Sequence, residues 1–310
     1  MSDSIQPDVL ERPREQTEFS QLSFEVIAGD YSRPGNQPAN YTLVKGRREA
    51  LLVDVPLGRA DAHRLIARIL DTGLKLHTIF ITQGHLDHFF SLDLLTETFP
   101  KAAVVAHSVV AADIKRSISL MFDRLAETER TDANAPWRGV VPTPLGIDHI
   151  RLEGHKLKIL GPMQGNQVHA TALWDPRTGT LIAGDLLYNG VFAFLGEHRP
   201  AQYNAWLESL DYLDSLRPKW VVAGHSKPGL PDDDDKAIDW TRGYIRNMMK
   251  LARSTGSATE MAEMLRASYP DAIGSPGSQF LLEVPIQIAI GEIEPRDEGR
   301  ELSPASIPVA

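Results

Sequence analysis

Cysteine is absent from all 310 residues. That excludes disulfides and thiolate metal sites, so any ion must be held by His, Asp, Glu or neutral oxygen donors. An excess of positive charge is also missing. The formal net charge of −9 disfavours a broad electrostatic surface for nucleic acid. Residues 1–21 carry Pro7, Pro13 and several acids but no apolar core segment, so they read as a flexible segment, neither signal peptide nor membrane anchor. The expectation is a cytoplasmic protein with a small-molecule substrate and no nucleic-acid or membrane partner. What remains is ordinary: 42% hydrophobic and 24% charged residues over this length are enough for one large core, with or without a helical appendage.

Three metal-competent side chains fall within four residues in Gln83-Gly84-His85-Leu86-Asp87-His88. Residues 78–82 are β-branched or aromatic throughout and read as a buried strand, while 89–99 read as a helix, so the ligands are expected on the turn between them. A turn can bring His85, Asp87 and His88 toward one ion, which a regular strand cannot easily do. Imidazole with carboxylate suits zinc best, with iron and manganese behind it.

Before this stretch, 22–28 read as an outer strand, and 41–44 with 50–55 as a hairpin closed by the basic turn Lys45-Gly46-Arg47-Arg48. Asp54 follows, placed either to brace the metal loop or to cap the helix at 61–72, whose apolar stripe is Ala62, Leu65, Ile66, Ile69 and Leu70. After it come a strand at 102–106 and a helix of about twenty residues from Ser108. Trp137 then lies in an irregular segment and is a candidate substrate wall. Strands at 150–152 and 156–160 precede a hairpin of 170–174 and 181–183 that ends in Gly184-Asp185; a helix at 202–216 and a strand at 220–223 lead to Gly224-His225. Twice more, a strand ends by presenting one metal-competent side chain. The acidic run 232–235 complements the N-terminus of a helix starting near Lys236, and Ser257-x-x-Glu260 is a capping box for the next. Residues 280–290, interrupted by Pro285, read as helix or edge strand, and 294–310 as a disordered tail. His63, His77, His107, His149, His155 and His198 have no partner at ligand spacing and read as ordinary polar residues, with His198 in a loop that could reach a pocket.

The series of Asp54, Gln83-Gly84-His85-Leu86-Asp87-His88, Gly184-Asp185 and Gly224-His225 resembles the metallo-β-lactamase fold superfamily, over roughly residues 22–230. The resemblance implies an α/β, four-layer αββα sandwich with one or two metal ions where the sheets meet, and helices 231–293 as a C-terminal extension. It further implies Asp87, His88 and His225 as ligands of the second ion, Asp185 as the bridge between both, and His85 as a ligand of the first, where Gln83 stands in place of the family's other imidazole. For the last ligand of the first ion, Asn166 occupies the expected slot, but His169 is the better donor and is expected to serve, with Asn166 in reserve. One tight zinc and a second weaker ion follow. The implied activity is a metal-dependent hydrolase using metal-bound hydroxide on a small ester, lactone, amide or thioester, with Asp87 holding the water. Tyr188, three residues after Asp185, stands as in family lactonases, where a phenol assists at the substrate carbonyl. The alternative is a degenerate metal site on a ligand-binding or regulatory protein, against which the joint presence of His85, Asp87, His88, Asp185 and His225 argues. An iron redox protein fits less well, because Gln83 stands where such members place an acid. The apolar face of the helices after Lys236 could serve a homodimer or a lid.

Overall fold

Strands with a core on both faces should send successive apolar side chains to different layers. Leu43, Leu52, Ile79 and Ile81 pack on one side of the first sheet. Their chain neighbours Val44, Leu51, Val53 and Phe80 pack on the other. In the second sheet Leu173, Ile182 and Val222 join that same central layer, whereas Trp174, Leu181 and Val221 face away from it. Three apolar layers between four layers of structure result, which is the expected αββα sandwich.

The computed structural model describes residues 21–32, 39–127, 138–196, 200–230, 236–274 and 278–295. Trp137, His198, the acidic run and most of both terminal segments lie outside these residues, as do the side chains of Met121 and Leu125. The first sheet holds β1 (Ser23–Ala28), β2 (Asn40–Lys45), β3 (Glu49–Val53), β4 (Lys75–Ile81), β5 (Ala103–His107) and β6 (Thr143–Leu145) in chain order. Pairing is antiparallel from β1 to β3 and parallel from β3 to β6. The parallel crossovers carry α1 (Arg59–Asp71), α2 (Leu86–Phe89), α3 (Leu92–Thr98) and α4 (Ser108–Glu127).

The second half of the chain supplies β7 (His149–Leu152), β8 (His155–Met163), β9 (Ala170–Asp175), β10 (Thr180–Ile182), β11 (Tyr188–Asn189), α5 (Pro200–Ser215), β12 (Trp220–Val222) and β13 (His225–Ser226). The second sheet runs β12-β10-β9-β8-β7, and β11 pairs with β13 apart from it. Away from the metal loops, the turn between β7 and β8 clips the two sheets together. Glu153 accepts the backbone N–H groups of Arg47, Arg48 and Glu49 at 2.9, 2.6 and 2.8 Å, so the basic turn is held by a carboxylate of the other sheet.

Two expectations change. The helix expected over 89–99 is broken into α2 and α3, and Asp87 and His88 lie inside α2, with only His85 outside as its N-cap. The undecided segment near Pro285 is helical: α6 (Lys236–Leu251), α7 (Ala258–Ser268) and α8 (Phe280–Ala289) close the chain. The Ser257 hydroxyl caps α7, accepting from Glu260 N at 3.3 Å. These helices share one apolar core with the outer face of the second sheet and α5. Thr241 of α6 even bonds both backbone groups of Tyr188, its hydroxyl accepting from N at 2.9 Å and lying 3.0 Å from O. Among the described residues no helix is long and apolar enough to cross a membrane.

Phe80, fully buried between the sheets, should be the costliest aromatic to truncate in the central layer. Phe80→Ala is expected to destabilise by about 3–5 kcal/mol, read from denaturant unfolding midpoints; a loss below about 1 kcal/mol would contradict the sandwich packing.

Candidate metal centre

Four loops at one end of the two sheets converge on Asp185. The first carries Asp54, which ends β3 in the left-handed backbone region with φ 62° and is almost fully buried. Its Oδ1 accepts Thr82 N at 2.8 Å and its Oδ2 accepts Thr82 Oγ1 at 2.7 Å, locking the end of β4. The same Oδ2 lies 2.8 Å from His88 Nδ1. A carboxylate there holds the proton on Nδ1 and aims Nε2 at the site. Of the two roles open to Asp54 in the sequence, the structure shows the brace.

The Gly224-His225 loop is tied to the first sheet by Asn40. Its backbone N donates to Gly224 O at 2.7 Å, and its Nδ2 donates to Ala223 O and Ser226 Oγ at 2.9 and 2.8 Å. Two glycines make room for Asp185 on its 3-10 turn. A Cβ on Gly224 would overlap Asp185 Oδ1, and one on Gly184, which has φ 51°, would strike Thr82 Oγ1. Here glycine is a steric requirement.

The outcome is a compact donor set. Asp185 Oδ1 lies 3.2 Å from His88 Nε2 and 3.3 Å from His225 Nε2, and Asp87 Oδ2 lies 3.4 Å from His225 Nε2. Ligand atoms of Asp87, His88 and His225 all fall within 4.8 Å of one another. His88 and Asp185 are buried, yet His88 Nε2 and Asp185 Oδ1 complete no hydrogen bond among the described residues. An imidazole nitrogen and a carboxylate oxygen buried side by side in this way are suited to act as ligand atoms of a cation. Burial alone pushes the His88 imidazole down, but the carboxylates of Asp185, Asp54 and Asp87 outweigh it and hold His88 well above its ordinary value. His225 is raised in the same way, burial opposing Asp185 and Asp87. Burial pushes Asp185 up, but His225 and His88 hold it well below the usual carboxylate range. The carboxylates that raise both imidazoles are the charges a divalent ion would satisfy, and the donor set fits such an ion.

The remaining expected residues divide. Asn166 is at the site: its Nδ2 lies 2.6 Å from Asp185 Oδ2, 2.9 Å from His85 Nδ1 and 3.0 Å from the Tyr188 hydroxyl. His169 is turned elsewhere, its Nδ1 2.8 Å from the buried carboxylate of Asp113 on α4. The preference for His169 over Asn166 rested on donor strength, and the contacts place Asn166 against His85 and Asp185 instead. Gln83 is fully buried, and neither polar atom of its carboxamide has a hydrogen-bond partner among the described residues. Tyr188 is buried, donates to Asp185 Oδ2 at 3.0 Å and stacks on His225 at 5.2 Å and 13°. Burial, then the Asp185 and Asp87 charges, raise its phenol well above ordinary, so it stays a neutral donor. Sequence reasoning missed Asn40, Asp113 and Gln167, whose Oε1 accepts Gly84 N at 3.1 Å. Each lies far along the chain from the loop it serves, and no local spacing marks it.

Comparison with known proteins agrees with this geometry. The family described as the Metallo-beta-lactamase superfamily matches residues 34–225. YobT of Bacillus subtilis (strain 168), described as an uncharacterized protein, is 27% identical over 213 residues, which span 63% of this chain and 85% of that protein. The crystal structure of a metallo-beta-lactamase family protein, TTHA1429 from Thermus thermophilus, is similar with a TM-score of 0.61 at 22% identity, over 87% of this chain and 93% of that one. A metallo-beta-lactamase from Pontibacter korlensis reaches 0.54 at 17% identity, over 74% and 96%. At these identities the two structures are likenesses of fold.

Asp54→Asn should leave the fold in place and weaken divalent-ion affinity about 10–100-fold, measured by calorimetric titration; unchanged affinity would remove Asp54 from the centre. The same titration has a defined pH dependence. An ion needs both imidazoles neutral, and both have raised pKa values, so apparent affinity should rise with pH and fall as pH drops below those raised values. A dissociation constant that stays flat over about three pH units spanning the imidazole range would contradict this.

Proposed function

The chain belongs to the metallo-beta-lactamase superfamily, and from that premise we propose that it is a metal-dependent hydrolase of small carbonyl substrates: esters, lactones, amides or thioesters. The observation that carries this reading is the convergence of Asp87, His88 and His225 around Asp185. Those four residues would hold the ion, and zinc is the assignment, because the donors are imidazole and carboxylate without thiolate. When bound, such an ion polarises a substrate carbonyl and lowers the pKa of water.

The rest of the chemistry belongs to this chain's side chains. The Asp87 carboxylate is 20% accessible whereas that of Asp185 is 1% accessible, which supports Asp87 as the group that orients an attacking water and takes its proton. His85, half-buried, has Phe194 edge-on at 5.9 Å, and the phenyl ring supplies an apolar flank for the acyl part. Asp54 keeps His88 in one tautomer and Asn40 keeps the His225 loop closed, so the donors are fixed before substrate arrives. We assign Tyr188 to positioning: its hydroxyl is committed to Asp185 and shut off from solvent, in contrast to the substrate contact that the lactonase-like placement implies.

Zinc-loaded protein should hydrolyse at least one member of a panel of nitrophenyl esters, aliphatic lactones and thioesters, losing the activity with a chelator and regaining it with zinc. Asp87→Asn should lower kcat on that substrate by about 10²–10⁴-fold. Tight ion binding with no turnover across the panel would instead support a ligand-binding protein on this fold.

A further inference from the structure

We propose that this centre holds one ion and not two, because Asn166 and Tyr188 occupy by hydrogen bonding the Asp185 oxygen that a second ion would need. The inference rests on the reading of Asp87, His88, Asp185 and His225 as the metal donors.

Asp185 divides its two oxygens between two environments. Oδ1 faces His88 and His225 and makes no hydrogen bond among the described residues, which leaves it as the ligand atom. Oδ2 accepts Asn166 Nδ2 at 2.6 Å and the Tyr188 hydroxyl at 3.0 Å. The resemblance in sequence implies that this carboxylate bridges two ions. In the structure, a second ion reaching Oδ2 would displace both donors in a site closed to water, stranding an amide N–H and a phenol.

The other donors available to a second ion point the same way. The 2.9 Å contact between Asn166 Nδ2 and His85 Nδ1 joins two nitrogens, and an amide nitrogen has no lone pair to offer. His85 Nδ1 must therefore accept, which places the ring hydrogen on Nε2. The lone pair of Nδ1, the ring nitrogen that faces Asn166, is thereby engaged by the amide, and an ion taking it would have to displace the same Asn166 that holds Asp185 Oδ2. Gln83 brings a neutral carboxamide. With Asp185 Oδ2 committed, a second ion would meet two amides and one imidazole and no negative charge, whereas the first meets two carboxylates and two imidazoles. An imidazole at position 166 would reverse this, since it would ligate in its own right and free Oδ2.

Metal-free protein titrated with cobalt(II) should show visible absorbance that stops rising at one equivalent, and plasma mass spectrometry after gel filtration from excess zinc should find one ion per chain. The double variant Gln83→His with Asn166→His should hold two. Two tightly held ions in the unmodified chain would overturn the inference while leaving the hydrolase reading intact; none would sink the metal centre itself. A folded double variant that still holds one ion would overturn the role given to Asn166. If that variant fails to fold, the stoichiometry of the unmodified chain decides alone.

Discussion

A carboxylate almost wholly withdrawn from solvent cannot stay ionised in a protein interior without partners, and Asp185 is such a group. Everything around it can be read as a response to that constraint. Two imidazoles face one oxygen and two neutral donors face the other. Each partner is in turn held from elsewhere: His88 by Asp54, His225 by the ring of Tyr188, and Asn166 by its contact with His85. Breaking any one of these leaves a buried charge short of a partner, which is costlier than losing a surface ion pair. The centre is therefore a property of the whole network, and its rigidity comes from the same contacts that keep Asp185 charged.

The sheets explain why the network can form at all. Neither sheet contains the centre. Asp54 and the His85 to His88 stretch lie beyond β3 and β4 of the first sheet, and Asp185 and His225 lie beyond β10 and β12 of the second. Asn40 crosses from one to the other with three hydrogen bonds. Away from the metal loops, Glu153 crosses the opposite way. A central apolar layer from Val44 to Val222 fills the space between the sheets, so relative sliding of the sheets is opposed both by packing and by polar clips from either side.

Much of this was legible in the sequence because it is written in short range. Runs of apolar and β-branched residues bounded by turns mark β2, β3 and β4, the stripe on α1 marks its buried face, and Gln83 to His88 announces its chemistry within six residues. What was not legible depends on long-range geometry. His169 outranks Asn166 as a donor by chemical type, but only the folded chain shows that Asp113, from α4, has claimed His169. The break between α2 and α3 has no Pro or Gly to announce it; Phe90 and Ser91 fall there, and Ser91 N donates to Pro56 O across the fold. Tyr188 offers a phenol that the sequence allows to face substrate, and burial together with Asp185 turns it inward.

The hydroxyl of Thr241 on α6 bears on where the chain can be divided. The match to the superfamily ends at residue 225, and a boundary drawn there from sequence would put α6, α7 and α8 in a separate unit. Thr241 is bonded to both backbone groups of Tyr188, and Ala237, Ile238, Ile245 and Met248 belong to the same core as Leu181 and Val221. Cutting after β13 would strip one face of the second sheet and release the backbone beneath His225. The core that supports these donors extends well past the region by which its kinship is recognised.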